Sequence, residues 1–123
     1  MSKTALIVDD SPTMRQMVAL TLANAGFKVV EAEHGKDAMS KVSDGPKMDI
    51  VVTDLNMPEM DGISLIKELR KMASFKFTPI LMLTTESAAD KKQAGKEAGA
   101  TGWIVKPFNP EVMLKIIAKI LPA

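Results

Sequence analysis

Four short runs of almost uninterrupted apolar residues punctuate the chain, at residues 6–8, 50–52, 80–83 and 104–105. Continuous runs rich in β-branched residues are typical of strands that are buried on both faces, as in a parallel sheet. Residues 27–32 form a fifth candidate that is more mixed in polarity. We therefore predict five strands, with the one at residues 27–32 nearer an edge of the sheet.

Segments with helical periodicity separate these runs. Ser11 is predicted to cap the first helix, with Pro12 in its first turn and a stop before Gly26. The inward stripe of this helix is predicted to consist of Met14, Met17, Val18, Thr21 and Leu22. Later helices are predicted at residues 36–42, 63–72, 87–98 and 110–121. Strand and helix thus alternate five times, which favours a three-layer α/β domain with right-handed crossovers.

Length, charge and composition narrow the class of protein. A chain of 123 residues fits one domain, so we expect a single domain over residues 1–123 without an effector domain. The formal net charge is +1 without a block of like charge, so neither nucleic acid nor a membrane is the expected partner.

The residues that are scarce also exclude several kinds of site. The chain has no Cys and a single His, His34, which excludes disulfides, thiolate nucleophiles and a multi-His metal site. His34 itself is expected to face solvent. The apolar run at residues 5–8 is too short for a signal peptide, so we expect a cytoplasmic protein.

Polar residues stand at the ends of four of the five predicted strands. Asp9 and Asp10 follow the first run, and Asp54, Thr84 and Lys106 stand at the ends of the later ones. Any one of them also fits a strand that simply reaches water. Because ligands of open parallel sheets bind outside the carboxyl ends of the strands, we expect all five to converge on one rim.

This rim predicts a divalent cation. Like unit charges about 4 Å apart repel by about 4 kcal/mol at an effective dielectric constant of 20, so three adjacent carboxylates need a counter-ion. The available donors are oxygens, and a site of few carboxylates that leaves room for a phosphate oxygen favours Mg²⁺ over Ca²⁺.

The sequence resembles the receiver domains of two-component response regulators. The segments LIVDDSPTM, VVTDLNMPEMDG, LMLTTE and GWIVKPF occur in the order and spacing of that family, and the likeness is greatest to single-domain chemotaxis regulators. The resemblance implies a flavodoxin-like doubly wound sheet of five parallel strands in the order 2-1-3-4-5, with five helices. It also implies a phosphorylation-activated signalling switch that is not an enzyme.

The resemblance assigns roles to the predicted rim. Asp54 is the implied phosphoacceptor, whose carboxylate attacks the phosphohistidine of a histidine kinase. Lys106 and Thr84 are the implied contacts of the phosphoryl group, and Lys106-Pro107 matches a cis peptide bond of the family. Without the resemblance, a trans peptide bond would be expected, because most bonds that precede proline are trans.

The same resemblance implies a metal site and a lifetime. Asp10, Asp54 and the backbone carbonyl of Asn56 would bind Mg²⁺ directly, and Asp9 would act mostly through a bound water. Asn56 and Glu86 stand two residues after the implied phosphoacceptor and switch threonine, the pairing of members with fast hydrolysis. We therefore expect a short-lived phosphoryl group.

The resemblance implies a switch in which Thr84 is coupled to the aromatic residue at position 103. That residue is Trp103 here, where the family usually has Tyr or Phe. A half-buried packing role explains Trp103 equally well.

The helix predicted at residues 87–98 offers only Ala for burial and contains Gly95, which costs about 1 kcal/mol relative to Ala. Ser87 with Asp90 is predicted to cap this helix.

The implied output is a protein contact. The last helix is followed only by Pro122 and Ala123, so we expect no effector domain and an output by protein contact. The resemblance implies that the fourth helix, fifth strand and fifth helix form the contact surface for a target such as a flagellar motor switch protein, and we expect a monomer. A phosphorelay intermediate and a phosphate sink remain alternatives.

Two other classes fit less well. A haloacid-dehalogenase-type phosphohydrolase needs a second Asp where Asn56 stands, and a flavodoxin-like FMN carrier needs a phosphate loop where Asp9 and Asp10 stand.

Overall fold

Strands and helices alternate along the chain in the computed structural model, which describes residues 3–43, 45 and 47–121. The strands are β1 (Thr4–Val8), β2 (Lys28–Ala32), β3 (Ile50–Thr53), β4 (Ile80–Thr84) and β5 (Gly102–Val105). The α-helices are α1 (Pro12–Asn24), α2 (Gly35–Ser43), α3 (Gly62–Arg70), α4 (Ala89–Ala98) and α5 (Pro110–Ile120), and a 3₁₀ turn covers Ala73–Phe75. Pro122 and Ala123 lie outside the described residues.

The five strands form one parallel sheet in the order β2-β1-β3-β4-β5. This confirms the predicted flavodoxin-like fold and the edge position of β2. The strand order reverses between β1 and β3, so successive crossovers place helices on both faces of the sheet. A crevice is expected at this reversal, outside the carboxyl ends of the two strands.

Alternate residues of each strand supply the two halves of the core. Leu6 and Val8 of β1 pack on the side of α2 and α3, whereas Ala5 and Ile7 pack on the side of α1 and α5. All four are buried, as the continuous apolar run predicts. The buried helix residues on the α1 and α5 side are Val18, Leu22, Met113 and Ile117.

Local signals explain where two of the helices begin. The Ser11 hydroxyl accepts a hydrogen bond from the Met14 N–H at 3.3 Å, and Pro12 follows as the first helical residue, as predicted. The Asn109 side chain accepts from the N–H groups of Glu111 and Val112 at the start of α5.

Two predictions about the helices are wrong. Met17 lies 48% exposed rather than in the inward stripe of α1, because the buried face of that helix is narrower than the apolar pattern. Ser87 does not cap α4: the helix begins at Ala89, its N-cap is Ala88, and no side chain bonds there. Among the described residues, no helix has the length and apolar character needed to cross a bilayer.

Candidate functional site

The backbone of the sheet brings the predicted site residues to one edge. Strands β1, β3 and β5 each end one residue before Asp9, Asp54 and Lys106. Their N–H groups still donate across the sheet, that of Asp54 to the Val8 carbonyl at 2.9 Å and that of Lys106 to the Thr84 carbonyl at 2.8 Å. The ladder therefore fixes the backbone from which these side chains project.

Three carboxylates meet at this edge. Asp9, Asp10 and Asp54 each offer an oxygen, and these oxygens lie within 4.8 Å of one another. Asp9 and Asp54 are 2% and 8% exposed, whereas Asp10 is exposed. The expected convergence of the acidic strand ends is thus present in the structure.

Lys106 bridges the two buried acids. Its ammonium donates to Asp9 Oδ2 at 2.9 Å and to Asp54 Oδ2 at 3.2 Å, and the peptide bond from Lys106 to Pro107 is cis. One ammonium against three carboxylates leaves two negative charges when all are ionised. A pocket of oxygen donors with this surplus fits a hard divalent cation such as Mg²⁺.

Asp9 and Lys106 of this cluster have shifted pKa values. Burial raises the pKa of the Asp9 carboxyl above the ordinary value, against the hydrogen bonds from the Ser11 N–H and the Lys106 ammonium. Burial also opposes the charge of Lys106, but its bonds to Asp9 and Asp54 prevail and raise the pKa of its ammonium. Ionised Asp9 is therefore destabilised in the folded chain, which favours a further cation in the pocket.

The backbone after Asp54 is held closely. Asp54 Oδ1 accepts from the Leu55 N–H at 2.7 Å, and the Gly62 N–H donates to the Leu55 carbonyl at 2.8 Å. A Cβ at position 62 would lie 2.2 Å from the Asp54 carbonyl oxygen, so this close approach requires glycine. Asn56 lies exposed in the same loop, and its predicted role stays a prediction.

The predicted switch residues contact one common residue. The hydroxyl of Thr84, fully buried at the end of β4, accepts from the Glu86 N–H at 3.4 Å. The indole N–H of Trp103 donates to the Glu86 carbonyl at 2.9 Å. Thr84 and Trp103 are thus linked through both sides of the Glu86 backbone.

Gly95 has a packing role that the sequence did not reveal. A Cβ at position 95 would lie 2.7 Å from Cζ3 of Trp103, so the half-buried ring occupies the space of the missing side chain. Gly95 therefore weakens α4 and also leaves room for the Trp103 ring, which is larger than the Tyr or Phe ring usual at that position.

Gly95→Ala is expected to displace the Trp103 ring and to break its bond to Glu86. Trp103 is the only tryptophan, so its emission reports the displacement directly. The gain in helix propensity of about 1 kcal/mol should appear as stabilisation only in a Trp103→Ala background. Gln93→Ala, at an exposed position of α4, is the control. Unchanged emission together with stabilisation of the otherwise native chain would contradict this packing role.

Two residues outside the predicted site make contacts that the sequence did not indicate. His34 is half-buried rather than solvent-facing: its Nδ1 accepts from the Asp37 N–H at 3.1 Å, and its Nε2 lies 3.4 Å from Glu59 Oε2. Arg15 donates from Nη1 to the Asp9 carbonyl at 2.8 Å. The only sequence signal for Arg15 is its place one turn beyond Ser11 on α1.

Comparison with known proteins identifies the family. The family model of the response regulator receiver domain matches residues 5–118. Chemotaxis protein CheY1 of Helicobacter pylori is 41% identical over 117 residues, covering 94% of each chain. The structure of Vibrio cholerae CheY4 has a TM-score of 0.94 at 48% identity, covering 98% of this chain and 100% of that one.

A third likeness concerns the fold alone. The receiver domain of the Pseudomonas aeruginosa sensor histidine kinase PA1611, whose structure has magnesium coordinated in the active site cleft, has a TM-score of 0.88 at 22% identity, covering 98% of each chain.

The curated relatives point to two-component signalling in chemotaxis. The chain belongs to the response regulator receiver domain family.

Proposed function

We propose that this protein accepts a phosphoryl group on Asp54 from a histidine kinase, with Mg²⁺ bound, and thereby changes its affinity for a protein partner in chemotaxis. The observation that carries the proposal is the pocket itself. Asp54 shares it with Asp9 and Asp10, and Lys106 reaches both buried acids.

Asp54 is prepared to act as a nucleophile. Its two oxygens are oriented by the Leu55 N–H and the Lys106 ammonium. A carboxylate oxygen attacks the phosphorus of a phosphohistidine, the N–P bond breaks, and its electron pair stays on the imidazole nitrogen. The product is an acyl phosphate on Asp54.

The cleft must then accommodate added negative charge. Phosphorylation adds about −1.5 to −2 charges beside Asp9 and Asp10, so the product depends on the positive charge that surrounds it. Lys106 supplies one such charge to the phosphoryl oxygens. Asp9, Asp10, Asp54 and the Asn56 carbonyl are the proposed holders of Mg²⁺, which when bound stabilises charge on the same oxygens.

The Glu86 contacts offer a route from the phosphoryl group to α4. We assign to the Thr84 hydroxyl the role of donating to the phosphoryl group, which would alter its contact with the Glu86 N–H. Trp103 holds the other side of Glu86, two residues before the N-cap of α4. A shift at Thr84 is therefore transmitted to Trp103 and to the start of α4.

The proposed output surface is formed by α4, β5 and α5. A hollow of about 260 Å³ lies there between Lys92, Lys96 and Trp103, and Val105 and Val112 are exposed. Such a surface fits an apolar segment that carries acidic residues. The proposed target is a flagellar motor switch protein, and we propose that this chain acts in the cytoplasm as a monomer.

The test is the mass of the intact protein after exposure to acetyl phosphate with Mg²⁺. We expect one phosphoryl adduct, its absence in Asp54→Asn, and its retention in Asp61→Asn, because Asn can replace Asp61 as the N-cap of α3. The adduct should be short-lived, as the Asn56 and Glu86 pairing predicts, and its persistence for hours would contradict that expectation. An adduct that persists in Asp54→Asn would contradict the proposed phosphoacceptor.

A further inference from the structure

Arg15 joins three elements beside the acidic pocket. From α1, its Nη1 donates to the backbone carbonyl of Asp9 at 2.8 Å, and its Nε donates to Glu31 Oε1 on β2 at 3.3 Å. The Arg15 side chain is 15% exposed, whereas that of Glu31 is 42% exposed. A guanidinium this well covered, with two acceptors of different elements, has a defined orientation.

We propose that Arg15 is a positioning residue for the metal site, and that it acts through the peptide plane between Asp9 and Asp10. This inference rests on the proposed function, since it concerns the affinity of the pocket for Mg²⁺. Neither the family likeness nor the predicted rim assigns a role to Arg15.

Asp9 and Asp10 are held in different ways. Asp9 is held at its carboxylate by the Ser11 N–H and the Lys106 ammonium, at 2.9 Å each. Asp10 is exposed, so its orientation depends mainly on the backbone. Because the peptide unit is planar, fixing the Asp9 carbonyl also fixes the N–H and Cα of Asp10. The Arg15 bond thus fixes the backbone position from which the Asp10 side chain reaches the other two acids.

The chemistry of Arg suits this position. The planar guanidinium presents Nε and Nη1 in a fixed geometry, so Glu31 can set the direction of the bond to Asp9. Glu31 also offsets the positive charge of Arg15, which would otherwise repel a cation in the neighbouring pocket. A Lys at position 15 would keep the charge and lose the fork.

The test is calorimetric titration of the full chain with Mg²⁺. Partners that orient metal ligands typically contribute 10- to 100-fold to affinity, so we expect Arg15→Lys and Arg15→Gln each to raise the dissociation constant about tenfold. A purely electrostatic role predicts otherwise: no change for Arg15→Lys, and tighter binding for Arg15→Gln. Glu31→Gln should give a smaller loss of affinity.

Lys28→Gln controls for the change in charge, because Lys28 is an exposed residue of β2, the edge strand that also carries Glu31. Melting temperatures in EDTA show that each variant is folded. If Arg15→Gln does not fold, Arg15→Lys decides the matter, because it keeps the charge and loses only the fixed geometry of the guanidinium. Wild-type affinity in the variants would overturn the role of Arg15 alone. Failure of the unsubstituted protein to bind Mg²⁺ would overturn the proposed function as well.

Discussion

Asp10→Asn is expected to weaken Mg²⁺ binding, and with it phosphorylation of Asp54, about a hundredfold, the upper end of the range for partners that only orient a ligand. Asp10 contributes one of three carboxylates that lie within 4.8 Å of one another, yet it is exposed. Its removal should therefore change the free energy of unfolding in EDTA by no more than about 0.5 kcal/mol. Among the three acids, Asp10 separates metal binding from stability most cleanly.

Two measurements check this expectation. Titration calorimetry gives the affinity for Mg²⁺, and the rate of adduct formation with acetyl phosphate gives the reactivity of Asp54. Asp90→Asn is the control, since Asp90 is an exposed acid in the first turn of α4. Excess EDTA should abolish the adduct in the unsubstituted protein. Efficient labelling in EDTA, or wild-type affinity in Asp10→Asn, would contradict the metal site.

The sheet and its acidic edge could be predicted because their signals are local. Uninterrupted apolar runs locate strands that are buried on both faces, and the residues after those runs must lie at one edge of a parallel sheet. That rule alone predicts that Asp9, Asp54 and Lys106 lie close together. The strand order came from the family resemblance, since apolar runs alone do not specify which strands are neighbours.

The contacts that the sequence could not reveal join side chains from distant elements. Gly95 indicates a weak helix until the Trp103 ring is seen in the space above it. Arg15 looks like an ordinary polar position of α1 until the Asp9 carbonyl is found beside it. Ser87 fails as a cap for a local reason, because α4 begins one residue later than that cap would require.

Lys106→Met is expected to slow phosphorylation about a hundredfold, the usual loss when one charge-stabilising donor is removed from a reacting site. In EDTA at neutral pH it should also destabilise the fold by about 3 kcal/mol, because breaking a buried ion pair leaves uncompensated charge. Asp9 and Asp54 lose the ammonium that now lies 2.9 Å and 3.2 Å from them. Added Mg²⁺ should restore part of that stability.

The pH dependence of this destabilisation follows from the two raised pKa values. The stabilisation from Lys106 is present below its ordinary pKa of 10.5 and is lost as the pH rises through its higher folded value. The pKa of Asp9 is already raised by burial, and loss of Lys106 raises it further, so acidification favours its neutral form in the variant. The difference in unfolding free energy should therefore be largest near neutral pH and shrink on both sides. Urea unfolding in EDTA, from acidic pH to above the ordinary pKa of Lys106, measures the difference in unfolding free energy between the variant and the unsubstituted protein. Lys119→Met, on the exposed side of α5, is the control. A difference that does not vary with pH would mean that the buried carboxylates are not the partners whose charge Lys106 balances.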